Sequence, residues 1–385
     1  MDLNLISAII FYSLVILFIY LKRDKFIVQS KIVYLYKTKF GLKLMDRIAN
    51  FCPRFLSFLG YLGVFTGFVG MFFIVIMLIH GAWSLIVNPS ALPSVAPIIP
   101  GVKIPGSPVY VPFWYGIISL FVIICIHEFS HGVLSRVHKV PVRSSGFGMM
   151  AIFPIAFVEP DESRIQKISK KKQLSIFAAG PFSNILTAII VISFAFFFTF
   201  PFQVSMVSYD GVYFSEVIPD NPAYLAGVPT DVVFTHLNNI SINSGPDFFS
   251  ALDSFSPGDT LVLSNSDVSY SIISSSNPEN PSLPYLGVRG ILSSYIINPS
   301  VNKYKFYFFD ILNDLLSWIF ILSFGIGLAN LLPLGPVDGG RMLSLVFNKK
   351  KYLSVVVKYL SLFVLFLLLF NLFFPYLRNL FVFFI

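Results

Sequence analysis

His127, Glu128 and His131 stand in the pentad His127-Glu128-Phe129-Ser130-His131, inside an apolar stretch. On a helix, residues four apart share a face, with Cβ atoms about 5–6 Å apart. Both imidazoles can therefore reach one metal ion at about 2.0–2.1 Å, the distance zinc requires. Glu128 is not placed as a third ligand; it suits holding a water at the ion and accepting its proton. The chemistry is metal-assisted hydrolysis. The plainer alternative is a histidine pair packed between helices. It must tolerate three ionisable groups within five residues of a span, each costing about 2.5–3.5 kcal/mol at the bilayer centre. A metal in a local water cavity satisfies all three.

A catalytic zinc needs a third protein ligand and an open position. His80 follows a plain apolar run, His138 sits at a span's end among basic residues, and His236 lies in a polar region, which leaves the carboxylates. Asp338 stands out, within Asn330-Leu331-Leu332-Pro333-Leu334-Gly335-Pro336-Val337-Asp338-Gly339-Gly340-Arg341. Pro333 and Pro336 break a helix, the two glycines let backbones approach, and the freed polar groups can line a cavity. A simple turn with Asp at its tip is the competing account. Asn184 and Asn330 are amides at membrane depth, where an unpaired polar group is costly. Each could bind the substrate backbone or an oxyanion, or glue two helices together.

The elements that position these residues are apolar helices. The 385 residues are 56% hydrophobic and only 12% charged, about half the charge of a soluble chain, so the class is polytopic membrane protein. Spans are predicted at about 3–21, 55–87, 113–137, 174–200, 309–334 and 353–374, with 375–385 as an interfacial tail. The first has Asp2 in place of a basic leader and no small-residue cleavage site, and reads as an uncleaved span. The net charge of +8 does not imply nucleic acid, because the basic residues flank apolar stretches. Residues 22–54 carry nine Lys/Arg and 136–172 carry eight, with a third basic block at 341–351. Six spans place all three blocks on the cytoplasmic side and the basic-poor segments 88–112 and 204–300 outside. Cys52 and Cys125 are too few for a disulfide framework or a Cys-rich zinc knuckle.

Residues 204–300 change character: nine Asp/Glu, one base (Arg289), alternating strands at 212–217 and 260–263, and turns at 219–221 and 257–259. This reads as a small folded domain.

The pentad in a membrane helix, followed far downstream by Asn330-x-x-Pro333-x-x-x-x-Asp338-Gly339, resembles the site-2 protease family of intramembrane zinc metalloproteases. Gly180-Pro181-Phe182-Ser183-Asn184, at the start of the following span, matches a further feature of that family. The resemblance covers about residues 113–347; Val337 stands where Leu is common. It implies Zn2+ held by His127, His131 and Asp338, with Glu128 as catalytic base. The run from Phe214 to Val228, then Asp231-Val232-Val233, Leu237-Asn238-Asn239-Ile240 and Pro257-Gly258-Asp259, resembles a protease-associated PDZ domain.

The expected fold is a polytopic α-helical membrane protein of about six transmembrane helices with an inserted extracytoplasmic PDZ-like α/β domain. Its parts are an N-terminal membrane region (1–112), a catalytic core in two pieces (113–203 and 301–385), and the PDZ-like insert (204–300). The resemblance implies hydrolysis of transmembrane protein substrates, pre-cleaved in some cases, in regulated intramembrane proteolysis. The PDZ-like domain is expected to bind extended peptide ends or to act as a rigid spacer. Residues 146–158 are apolar yet too short to span. They are expected to fold back into the membrane and offer a strand edge to an unwound substrate, or else to form an ordinary interfacial loop. Two other classes compete with this one. A membrane zinc carrier predicts repeated halves, which the sequence does not show. A non-catalytic PDZ-bearing adaptor has no use for Glu128.

Overall fold

The fold is that of a computed structural model, which describes every residue except 1–2, 30–32, 89–90, 105–106, 108, 151–152, 279, 348–350 and 383–385. Parts of the loop 88–112, the tip of segment 146–158 and two lysines of the third basic block fall outside the described residues.

The chain opens with α1 (Leu3–Leu21), strands β1 (Ile27–Gln29) and β2 (Val33–Thr38), α2 (Leu42–Phe51), α3 (Pro53–Val87) and α4 (Phe113–Val137). The hairpin β3 (Val142–Met150) and β4 (Phe153–Pro160) follows, then α5 (Glu162–Ile165) and α6 (Lys170–Phe194). A π-helical turn, Ala195–Thr199, leads into α7 (Phe200–Val204). Then come β5 (Val207–Val217), α8 (Pro222–Leu225), β6 (His236–Leu237), β7 (Ile240–Ser241), α9 (Gly245–Leu252), β8 (Thr260–Ser264), β9 (Ser269–Ile273), β10 (Ser275–Ser276), β11 (Pro284–Tyr285) and β12 (Val288–Ile297). The chain ends with α10 (Lys303–Asn330), α11 (Asp338–Phe347) and α12 (Lys351–Val382).

Six helical segments are long and apolar enough to cross a bilayer: Asn4–Leu21, Pro53–Val87, Phe113–Val137, Lys170–Val204, Lys303–Asn330 and Tyr352–Phe374. They correspond to the six predicted spans, with two differences. The fifth span was expected to run to residue 334, but the helix ends at Asn330. Pro333 lacks an N–H and crowds the carbonyl four residues earlier, so the apolar Leu331 and Leu332 cannot extend it. In the other direction, α12 continues through Pro375 to Val382 where a separate tail was expected.

The chain divides into two compact units, residues 1–195 with 314–385, and residues 196–313. In the first, α3 is organised by glycine. Gly60, Gly63, Gly67 and Gly70 recur every three or four residues and are buried, as small residues are where membrane helices pack closely. A Cβ at these positions would meet, in turn, Leu134 of α4, Phe182 of α6, Met342 of α11 and Leu331, at 2.6–3.1 Å. This stripe gathers the elements that carry the pentad, the Gly180–Asn184 motif and Asp338 against one helix.

The N-terminal region, which precedes the residues that carry the family resemblance, supplies half of a four-stranded antiparallel sheet ordered β1-β2-β3-β4. Lys37 of β2 pairs with Gly146 of β3, and Gly146 in turn with Phe157 of β4. Segment 146–158 is therefore a β-hairpin inside a sheet, with β4 at the edge.

The second unit is slightly larger than the insert predicted at 204–300. A sheet β7-β6-β8-β9, the pair β5–β12 and the pair β10–β11 surround a core that includes Phe214, Phe234, Leu237, Phe248, Leu261 and Ile272, all fully buried. The ring of Phe214 lies 5.8 Å from those of Phe234 and Phe248. Helix α9 starts with a capping box between Ser244 and Asp247, which satisfies backbone donors the helix start would otherwise leave open.

Candidate active site

Helix α4 brings His127 and His131 to one face, as four-residue spacing dictates. Their Nε2 atoms are 3.2 Å apart. Asp338 begins α11, where a carboxylate is favoured by the helix dipole, and its Oδ2 lies 3.1 Å from His127 Nε2 and 3.3 Å from His131 Nε2. The chain reverses between α10 and α11 to place it there. A Cβ on Gly339 would sit 2.3 Å from the Leu331 carbonyl oxygen, and one on Gly340 1.9 Å from that of Leu334. Only glycine permits that fold-back, which draws Asp338 toward α4 across 211 residues of sequence.

The other ring nitrogens are engaged. His131 Nδ1 donates to the Ile176 carbonyl at 2.7 Å, which leaves Nε2 as the bare nitrogen. His127 Nδ1 lies 3.1 Å from Asn184 Nδ2, while Asn184 Oδ1 is buried and unpartnered. Turning the Asn184 amide over lets Oδ1 accept from His127 Nδ1–H, fixing the same tautomer on both histidines. Asn184 thus packs against a histidine rather than facing open cavity, as an outer partner that orients a ligand. Asn330 lines the cavity beside His127 and Asp338, and its amide nitrogen donates to the Ile326 carbonyl of its own helix at 3.0 Å.

Three ligand atoms mutually 3.1–3.3 Å apart form one face of a tetrahedron. Zinc bonds of about 2.0–2.1 Å give tetrahedral ligand spacings of about 3.3 Å. The group fits a zinc ion with its fourth position open, and His127, His131 and Asp338 form a metal-capable group among the described residues. Gly180 of α6 closes the back of the site: a Cβ there would lie 2.4 Å from both Nε2 atoms. The sequence marked this glycine only as part of a motif; its contact with both imidazoles is visible only in three dimensions.

Glu128 lines the same cavity of about 280 Å³, together with both histidines and Asp338. Its Oε2 accepts from the Val158 N–H of β4 at 3.2 Å. At the rim, Arg341 pairs with Glu162 and stacks over Phe177, 4.3 Å from its ring centre. His138, not expected to bind metal, is buried at the end of α4 against Ser175. Burial, and then the nearby charge of Lys172, push it down to about 4.

An apolar helical bundle that encloses two histidines, a carboxylate ligand and a glutamate defines a multi-pass membrane metallopeptidase. The profile of peptidase family M50 matches residues 115–372, and the chain belongs to that family, the family of site-2 proteases. An uncharacterized protein of Methanocaldococcus jannaschii is 25% identical over 313 residues, 79% of this chain and 74% of the relative.

Proposed function

We propose that this protein is a zinc endopeptidase that hydrolyses peptide bonds of membrane-spanning substrates at the site on α4 and α11. The observation that carries this reading is the meeting of His127 Nε2, His131 Nε2 and Asp338 Oδ2 on one tetrahedral face beside Glu128. Zinc held by His127, His131 and Asp338 would supply Lewis acidity at the scissile carbonyl and the attacking water. Glu128 accepts the proton from the attacking water and returns it to the leaving amine. Asn330, on the cavity wall, is a candidate to bind the carbonyl oxygen or the substrate backbone. Asn184 orients His127.

A transmembrane substrate hides its carbonyls in its own helix, so it must unwind, and β4 offers it a partner. Backbone donors alternate sides along a strand. Val158 N–H points to Glu128, away from β3, and Ala156 N–H shares that outward sense. Pro154 and Pro160 fall in the same outward register, where a missing donor costs no bond to β3. The outward edge is thus a short window of two residues, Ala156 and Val158, the second already joined to the general base through its N–H. An extended substrate can add to it as a further strand. Ala156→Pro removes an outward donor while sparing the hairpin. It is expected to abolish cleavage with zinc content unchanged by elemental analysis; cleavage at the parental rate would remove β4 from substrate binding.

The insert at 204–300 is read as a PDZ-like module that filters substrates by their trimmed ends. By the positive-inside rule, the active site is read as facing the cytoplasm and the insert as lying outside. The setting that suits this arrangement is regulated intramembrane proteolysis. The reading is tested with purified full-length protein and a single-span model substrate in detergent or vesicles. Cleavage is expected to disappear on chelation and return with zinc; chelator-insensitive cleavage would overturn the metal mechanism.

A further inference from the structure

Glu128 and Val158 wall not one cavity but two. Behind them, away from the histidines, lies a second space of about 410 Å³, within the usual range for small-molecule pockets of roughly 300–1,000 Å³. Its walls are apolar, among them Phe40, Leu44, Met45, Phe129 and Phe157. Three of those side chains come from residues 40–45, which lie before the region 115–372 that defines the family.

This N-terminal wall is firmly held. Met45 and Ala49 of α2 are buried, and Gly132 of α4 leaves the room that the Met45 sulfur fills, since a Cβ there would lie 2.6 Å from it. Asp46 pairs with Arg136 of α4 at 3.0 Å. Ser145 Oγ of β3 donates to the Phe40 carbonyl at 2.5 Å. Gly41, at φ 78°, makes the turn from β2 into α2 that aims Phe40 and Leu44 at the cavity.

We propose that this second cavity is a specificity pocket, built by α2, for a large apolar side chain of the substrate residue on the amine side of the cleaved bond. The inference rests on the peptidase reading above. If Glu128 returns the proton to the leaving nitrogen, that nitrogen lies beside Glu128, and the side chain of its residue is directed past Glu128 and Val158. Among the described residues, the space that Glu128 and Val158 both line on that side is the apolar one. A rigid pocket discriminates better than a mobile one. A pocket filled by apolar contact separates side chains that differ by one methylene by roughly 10–200-fold.

The test begins by locating the cleaved bond of a single-span substrate by mass spectrometry, then comparing versions with Phe or Ala at the amine-side residue. The parent is expected to favour Phe by at least roughly tenfold in kcat/KM. Leu44→Trp, which fills the pocket from a half-exposed position, is expected to invert or erase that ratio, whereas Leu44→Ala shifts preference toward Trp over Phe. An independent measurement uses Cys125, which lines the cavity. In a Cys52→Ser, Glu128→Gln protein, the Phe substrate is expected to slow alkylation of Cys125 more than the Ala substrate does. A parent that cleaves both versions with a ratio unmoved in either Leu44 variant overturns the pocket and leaves the peptidase standing. So does an equal loss on both versions in Leu44→Trp, the result expected if a lipid chain or helix packing fills the space. A parent that cleaves neither version overturns the peptidase reading and the pocket with it.

Discussion

Glu128→Gln is expected to lower kcat by about 10²–10⁴-fold, the range for loss of a general acid–base group, while leaving zinc bound and the protein folded. The substitution isolates the proton function. Glutamine keeps the length of glutamate, and its amide oxygen can still accept from Val158 N–H, the hydrogen bond that ties Glu128 to β4. What it loses is the capacity to take a proton and give it back. KM is therefore expected to change little, because strand and cavity are preserved. Glu128→Ala removes the link to β4 as well and is expected to raise KM in addition. The measurement is steady-state cleavage of a model membrane substrate alongside zinc content by elemental analysis. Parental turnover in the glutamine variant would show that another group serves as base.

The chemistry of this site was more legible in the sequence than its scaffolding. His127, Glu128 and His131 are neighbours in one helix, so helical periodicity alone places them. Asp338 was found because prolines and paired glycines in an apolar stretch are costly unless they shape something. The spans followed from length and hydropathy, failing at two ends: near Pro333 a proline overrides apolar character, and at Pro375 the helix runs on where a tail was expected. Pairings between distant segments were not legible. Nothing in residues 33–38 announces a partner at 145–150, because a short strand carries no label for its neighbour, and the two lie more than a hundred positions apart. The N-terminal region gave no such signal, although Phe40 and α2 wall the space behind Glu128. Asn184 illustrates the same limit. Its cost at membrane depth was evident, and substrate, oxyanion and helix were all reasonable partners; only the packing of α6 on α4 selects His127 Nδ1.

Gly180→Ala is expected to abolish high-affinity zinc binding and, with it, at least about 10²-fold of activity, the scale on which small misplacements act. The residue carries no functional group, so the effect must come from space alone. The new Cβ would stand 2.4 Å from Nε2 of both His127 and His131, well inside van der Waals contact. Imidazoles can swing away from such a clash, but not while keeping the 3.1–3.3 Å spacings to each other and to Asp338. His131 is also tethered through Nδ1 to Ile176, on the same helix as Gly180, so it cannot retreat without breaking that bond. The metal-free protein has no spacing to defend and can relax by turning the rings. Its thermal midpoint is expected to fall only modestly, within the roughly 1–3 kcal/mol that overpacking costs. Zinc is expected to raise the midpoint of the parent by binding only the folded state and to leave that of the variant unmoved. Thermal unfolding with and without zinc, set beside cleavage assays, separates the two effects. An alanine variant that binds zinc and cleaves as the parent does would show that α6 stands farther from the histidines than this geometry requires.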